Sequence, residues 1–314
     1  MSDAAGGGLI IVKEEKMTMQ EFSSIEKEAV SEKLGTGYHV TIQEVPKING
    51  TSRTGVTMRM EGLDIAPTVY LDSYFAEHLL GRGIEEVVNE VASVGLNHHP
   101  GTPDLEGLKQ FASIKDRIVT RLVNYEMNQV LLESVPHQRF LDLAIVAYVL
   151  MDCDCQGSAT IMIRDKHLEL WNVGEEKVFA CAKTNMPRLL PPKMLSIGEA
   201  ICEFSGAEVA KEGHGFCDSG LSVLTNDAKQ YGAICFLYDG ILRKLAQKHG
   251  TDIAILPSSV HEVLLMPSNF TRSIGRDGLY EMVSQVNKMV VDEGEVLSNS
   301  VYLYERTSDS VQIM

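Results

Sequence analysis

The chain has 314 residues, 44% of them hydrophobic and 23% charged, the balance of a globular protein with enough apolar material for a sizeable core. Its 43 acidic against 28 basic residues leave a formal charge of −15. That argues against nucleic acid, whose phosphates require a basic face, and against an anionic membrane surface. No apolar run approaches the roughly 18 residues that span a bilayer, and six cysteines in a chain this long fit scattered reduced thiols better than a disulfide framework. A cytoplasmic protein is therefore expected.

Residues 1–16 carry Gly6-Gly7-Gly8 and no periodicity, and are expected to be a disordered leader. Asp3 and the short apolar stretch Leu9–Val12 do not make a signal peptide. Thr18 and Glu21 form a capping box ahead of Phe22, Ile25, Ala29 and Leu34 at helical spacing, with Gly35 as the stop. Tyr38, Val40 and Ile42 alternate with polar residues as a strand. Asn49-Gly50 supplies the two positive-φ positions of a tight hairpin, and Val56, Met58 and Met60 mark the returning strand. Thr68–Leu71 reads as a short strand, with Asp72 as the cap of a helix around Tyr74–Leu80. Ile84, Val87, Val88 and Val91 line the next helix. Leu96–Pro103, with His98-His99, reads as a solvated loop, and Asp104–Ile114 as a weak helix.

Ile118–Tyr125, Phe140–Met151 and Ala159–Ile163 are expected strands, with a short helix near Gln129–Ser134. Helices follow over His167–Asn172 and Glu175–Thr184. The strand–helix–helix order after Thr68 recurs after Thr160, as a duplication would leave it. Pro187, Pro191 and Pro192, then the polar, Gly-rich Gly206–Ser219, mark a soft boundary. Three regions are expected, 17–115, 116–204 and 205–314, with the last two either separate or joined in one domain.

In the last third, Ala233–Tyr238 reads as a strand and Asp239 as the cap of a helix ended by Gly250. That helix presents Ile241, Leu242, Leu245 and Ala246 to the core, so Leu245 is expected to be buried against the strand Ile253–Leu256. Val263–Met266 pairs across a Pro-Ser-Ser turn. Leu279, Met282, Val283, Val286 and Val290 share a helix face, and Ser300–Glu305 with Val311–Ile313 make a closing hairpin. Too many neighbouring strands lack a helix between them for a doubly wound fold. The expected class is α+β, with mixed or antiparallel sheets built from hairpins and helices packed on one face.

These segments carry a resemblance. PTVYLDSYF (67–75), LVNYEMN (122–128), VPHQRFLDLAIVAYVL (135–150), NMPRLLPP (185–192), VLTNDAKQYGA (223–233), ILPSSVHEVLLMP (255–267) and VYLYER (301–306) resemble an uncharacterised domain-of-unknown-function family abundant in clostridial gut bacteria. The resemblance covers most of the chain and implies no activity, substrate or cofactor.

The densest polar cluster is Ser259, His261 and Glu262. These are the residue types of a hydrolase triad, but across a tight turn into a strand Ser259 and His261 share one face and Glu262 the other. There is no G-x-S-x-G elbow. Turn bonding by the serines and a ligand-binding rim are the competing readings. Asn185 and Arg188 sit where Pro187 is expected to end a helix, and Arg188 offers a bidentate fork to an anion. Asn226 reads as an Asx turn. Cys153-x-Cys155 with His214-x-x-Cys217 has zinc-ligand chemistry but poor zinc spacing, so no metal and no cofactor are expected. Two functions remain. One is a non-enzymatic binding or interaction protein with a small molecule or protein as partner; the other is a hydrolase using a site near His261 with Asn185, Arg188 or Asn226.

Overall fold

The computed structural model describes residues 17–62, 66–97, 105–151, 159–205, 220–257 and 259–314. The leader, His98-His99, Cys153 and Cys155, the Gly206–Ser219 stretch with His214 and Cys217, and Ser258 lie outside the described residues. Two compact units form, one from the described residues of Met1–Val45 and Ser52–His99, the other from Pro46–Thr51 and Pro100–Met314.

In the first unit the capping box closes as its residues dictate. Thr18 Oγ1 accepts from the Glu21 N–H at 3.2 Å, and the Glu21 carboxylate accepts from the Thr18 N–H at 2.8 Å. The helix so started, α1 (Met19–Leu34), is followed by a sheet in the order β1 (Tyr38–Pro46), β2 (Ser52–Met60), β3 (Thr68–Tyr70), then by α2 (Asp72–Leu79) and α3 (Ile84–Asn97). Phe22 and Val30 of α1 share one core with Val56, Met58, Leu71, Val87 and Val91. Asp72 is not the cap expected of it. It is the first residue of α2, and its carboxylate accepts from the Thr54 N–H at 3.2 Å, tying the helix to β2.

The second unit begins with Pro46–Thr51, where Asn49 (φ 61°) and Gly50 (φ 66°) take the left-handed conformations their types favour. Asn49 is buried by its bonds: its N–H donates to Asn128 Oδ1 at 2.7 Å and its Nδ2 to the carbonyls of Glu293 and Val296. Two short helices, α4 (Leu105–Leu108) and α5 (Phe111–Ile114), lead to β4 (Ile118–Asn124), α6 (Gln129–Leu132), β5 (His137–Phe140), β6 (Leu143–Met151) and β7 (Ala159–Met162). β6 is central, with β4 on one side and β5 and β7 on the other, all antiparallel. The strand expected to start at Phe140 is thus two strands, because Leu141 adopts φ 55° and turns the chain back.

Helices α7 (Asp165–Trp171) and α8 (Glu175–Leu189) cover one face of this sheet, packing Val178, Phe179 and Ala182 on Ala147 and Val149. α8 runs on through Pro187, which was expected to end it. Proline costs a helix one N–H, and here only about half a turn follows, so few bonds are at stake.

A second, six-stranded antiparallel sheet contains β8 (Pro192–Ser196), β9 (Ser222–Asn226), β10 (Ile253–Leu256), β11 (Val263–Pro267), β12 (Tyr302–Glu305) and β13 (Ser310–Ile313) in the order β13-β12-β10-β11-β9-β8. α9 (Ile197–Ser205) follows β8, α10 (Ile241–His249) precedes β10, and α11 (Ser268–Thr271) and α12 (Gly275–Met289) follow β11. Alternation sorts β10: Ile253 and Ile255 enter the core shared with the four-stranded sheet, while Ala254 and Leu256 pack on Leu279 and Val283 of α12. Met282 and Val286, expected on that same helix face, are only half-covered, and Val290 is exposed.

Leu245 is buried in the core that holds Ile253 and Ile255, as its helix face requires. Two local expectations are corrected. Gly232–Leu237 is a 3₁₀ helix rather than a strand: this apolar run is buried on every side, so it lacks the alternation that would tell strand from helix. Asp239 does not cap α10, whose N-cap is Gly240; it pairs instead with Lys183 at 3.3 Å. The fold class stands as α+β with antiparallel sheets. Among the described residues no helix is long and apolar enough to cross a membrane.

Candidate functional site: a buried arginine at a cavity

β4 is buried along nearly its whole length, yet its fourth residue is Arg121. The antiparallel register puts Arg121 on the same sheet face as Val119, Val146 and Tyr148, pointing toward the core between the two sheets. It is 8% exposed. Burying a guanidinium costs several kcal/mol unless charge and hydrogen bonds compensate, and burial draws its pKa down from the ordinary value. Among the described residues no carboxylate lies within ion-pair distance of it. Its partners are two aromatic rings and one hydroxyl: Cζ lies 3.0 Å from the ring centroid of Tyr148 and 4.0 Å from that of Tyr231, and Nη2 donates to Thr160 Oγ1 at 3.2 Å.

A desolvated cation–π contact is worth about 2 kcal/mol, so the two rings offset part of the desolvation and leave the charge itself unneutralised. Tyr148 has the complementary deficit. Its hydroxyl is buried without a hydrogen-bond partner among the described residues, and the neighbouring guanidinium has no lone pair to take its proton. Burial pushes the Tyr148 pKa up to about 12, against the opposing pull of Arg121, so the hydroxyl keeps its proton at neutral pH. It is a donor lacking an acceptor.

Both groups face a cavity of about 250 Å³. Val119 and Thr120 of β4, Leu150 of β6 and Thr160 of β7 form its floor, and Leu189 and Leu190 close it at the end of α8. The loop after β9 contributes Ala228, Gln230 and Tyr231. That loop is held in an unusual shape. Lys229 (φ 54°) and Tyr231 (φ 53°) are both left-handed, a conformation that costs a non-glycine residue about 1–2 kcal/mol. Side chains of Asn226 and His261 help to hold it there. Asn226 Nδ2 donates to the Gln230 carbonyl at 2.8 Å, Asn226 Oδ1 accepts from the Gln230 N–H at 3.3 Å, and the Tyr231 N–H donates to His261 Nδ1 at 3.2 Å. The His261 ring also lies against the Tyr231 ring, centroids 5.3 Å apart.

A family model matches residues 19–306, most of the sequence. The chain belongs to the family of unknown function DUF5688. No curated protein and no solved structure matches it significantly.

In this DUF5688 chain the residues singled out from the sequence differ in how they stand to the cavity. Asn226 and His261 support the cavity through the Tyr231 loop, and Thr225 Oγ1 fastens the His261 carbonyl at 2.8 Å. Ser259 Oγ accepts from the His261 N–H at 3.0 Å, while the ring of His261 spends Nδ1 on Tyr231 and brings Nε2 to 3.5 Å from Glu295. The serine hydroxyl therefore fixes the histidine backbone rather than meeting its ring. Glu262 faces a different hollow, with Ile197, Ala200 and Val223, and burial raises its pKa. Asn185, buried, donates to the carbonyls of Lys115 and Ile118, and Arg188 donates to the Asp116 carbonyl at 2.9 Å. These two secure the end of α8 outside the cavity, whose wall is their neighbours Leu189 and Leu190.

Arg121 itself carried a signal that patterning overlooks. In Ile118-Val119-Thr120-Arg121-Leu122-Val123 both alternate sets are apolar, so a strand buried on two faces holds one full charge. Among the described residues no group of three or more His, Cys, Asp or Glu could hold a metal ion. A larger cavity of about 510 Å³ lies beside Phe179, Met186 and Ile234, but its Lys183 is paired with Asp239 and shares the lining with Glu176. It offers no unopposed positive charge.

Proposed function

We propose that this protein is a non-enzymatic binding protein whose ligand is a small anion held by Arg121. The observation that carries the reading is the buried guanidinium facing a cavity with no carboxylate beside it among the described residues. A charge that is expensive to bury and left unneutralised is a place where binding energy can be recovered, because an arriving oxyanion would gain charge-assisted, bidentate hydrogen bonds in a low-dielectric setting. The cytoplasmic location expected from the sequence is part of this proposal. The hydrolase alternative has less support, since a nucleophile and base within reach of one another are its minimum requirement and His261 spends its ring on Tyr231 and Glu295.

The test uses stability as well as binding. Arg121→Met keeps the stem and removes the charge, so it is expected to melt at or above the wild-type temperature, as when an uncompensated buried ion is replaced by an apolar side chain. Wild-type protein should gain stability saturably with an added oxyanion, by about 2.7 kcal/mol at a hundred times Kd, and the variant should gain none. A variant that unfolds far earlier than a wild type indifferent to every oxyanion would make Arg121 a structural residue and end the proposal.

A further inference from the structure

Resting on the anion reading, we infer that the ligand is a small monocarboxylate with an apolar body. Three features of the cavity select it. The first is charge: Arg121 is the only charged side chain lining it among the described residues. One guanidinium neutralises one negative charge. A phosphate carries about 1.5 to 2 at neutral pH and would bury the excess in a protein already at −15.

The second feature is shape. With Cζ 3.0 Å from the Tyr148 ring centroid, the guanidinium has to lie flat on the ring, because any steep tilt would drive a nitrogen into it. Its N–H groups then radiate in one plane, the arrangement that matches the two coplanar oxygens of a carboxylate. The Tyr148 hydroxyl, buried and lacking an acceptor, supplies a further donor. The third feature is the rest of the wall: it is mainly hydrocarbon, from Val119, Leu150, Leu189, Leu190 and Ala228, with Thr120, Thr160, Gln230 and Tyr231 as its polar members. About 250 Å³ is less than a drug-sized pocket of some 300–1,000 Å³, so the body is a few carbons or one ring.

The experiment is calorimetric titration of the full chain with acetate, butanoate, hexanoate and benzoate, and with inorganic phosphate. Affinity should rise about threefold to fourfold per added methylene until the cavity is full, and phosphate should bind at least tenfold more weakly than the best carboxylate. Tyr148→Phe keeps the ring under the guanidinium and should weaken every carboxylate by about tenfold, the value of one hydrogen bond to a charged group. Arg121→Lys keeps the charge and loses the fork, and should weaken them at least as much. Phosphate binding as tightly as the best carboxylate, or an affinity flat from acetate to hexanoate, would overturn the monocarboxylate inference while leaving an anion site in place. Failure of every oxyanion to bind wild-type protein, or equal binding by Arg121→Met, would overturn both.

Discussion

Gly232→Ala is expected to destabilise the protein by about 3 kcal/mol, the upper end of overpacking costs, and to abolish anion binding. A Cβ at this position would stand 2.4 Å from Thr225 Oγ1, 2.6 Å from the Asn226 backbone nitrogen and 2.7 Å from the His261 carbonyl oxygen. A free hydroxyl would rotate away from the new methyl, but Thr225 Oγ1 is bonded to that same His261 oxygen at 2.8 Å. The other two are backbone, so relief means moving β9 away from the chain that follows it. Tyr231 immediately precedes Gly232 in a left-handed conformation, and its N–H depends on His261 Nδ1. Any shift at Gly232 is therefore transmitted to the ring that lies over Arg121. Denaturant unfolding and calorimetry on the same sample give the two readouts. A loss below about 1 kcal/mol with binding intact would mean that the loop is compliant, and that the cavity does not depend on its shape.

This coupling relates the residues singled out from the sequence to the proposed site. What is written locally was legible: the Thr18–Glu21 capping box, the Asn49-Gly50 pair, the apolar face of α10 and the strands β10 and β11. Each depends on residues within a few positions of one another. The candidates Asn226 and His261 were visible because polar residues in turns stand out, and they do shape the cavity, as supports. Arg121 is different. Its meaning comes from Tyr148 and Tyr231, distant in the chain and brought over it by the pairing of β4 with β6 and by the loop after β9. Single-strand patterning shows a charge in an apolar run but not what surrounds it. The same limit hid the 3₁₀ helix at Gly232–Leu237, where burial on all sides erases periodicity. It also hid the continuation of α8 through Pro187, which tertiary contacts of Asn185 and Arg188 hold in place.

The first unit should lose stability as pH rises from about 4.5 to about 7, and Glu26 is the cause. This residue lies on the core face of α1 with Phe22 and Val30, is fully buried, and has no hydrogen-bond partner among the described residues for either carboxylate oxygen. Burial pushes its pKa up to about 7. The folded state therefore holds the proton more tightly than the unfolded chain does. Below the unfolded value of 4.5 the carboxyl is neutral in both states and costs nothing extra. Between 4.5 and 7 the unfolded chain releases the proton first, and stability falls by up to about 1.4 kcal/mol per pH unit. Above 7 both states are ionised and the penalty levels off at about 3 kcal/mol. Glu26→Gln removes the titration while keeping the shape. Urea unfolding of the full chain should show the variant close to wild type at pH 5 and more stable at pH 8, the difference widening by about 2–3 kcal/mol. Other titrating groups are common to both proteins and cancel in that comparison. A difference that stays constant between the two pH values would show that the Glu26 carboxylate reaches water or a cation in solution, and that the core around Phe22 is not closed over it.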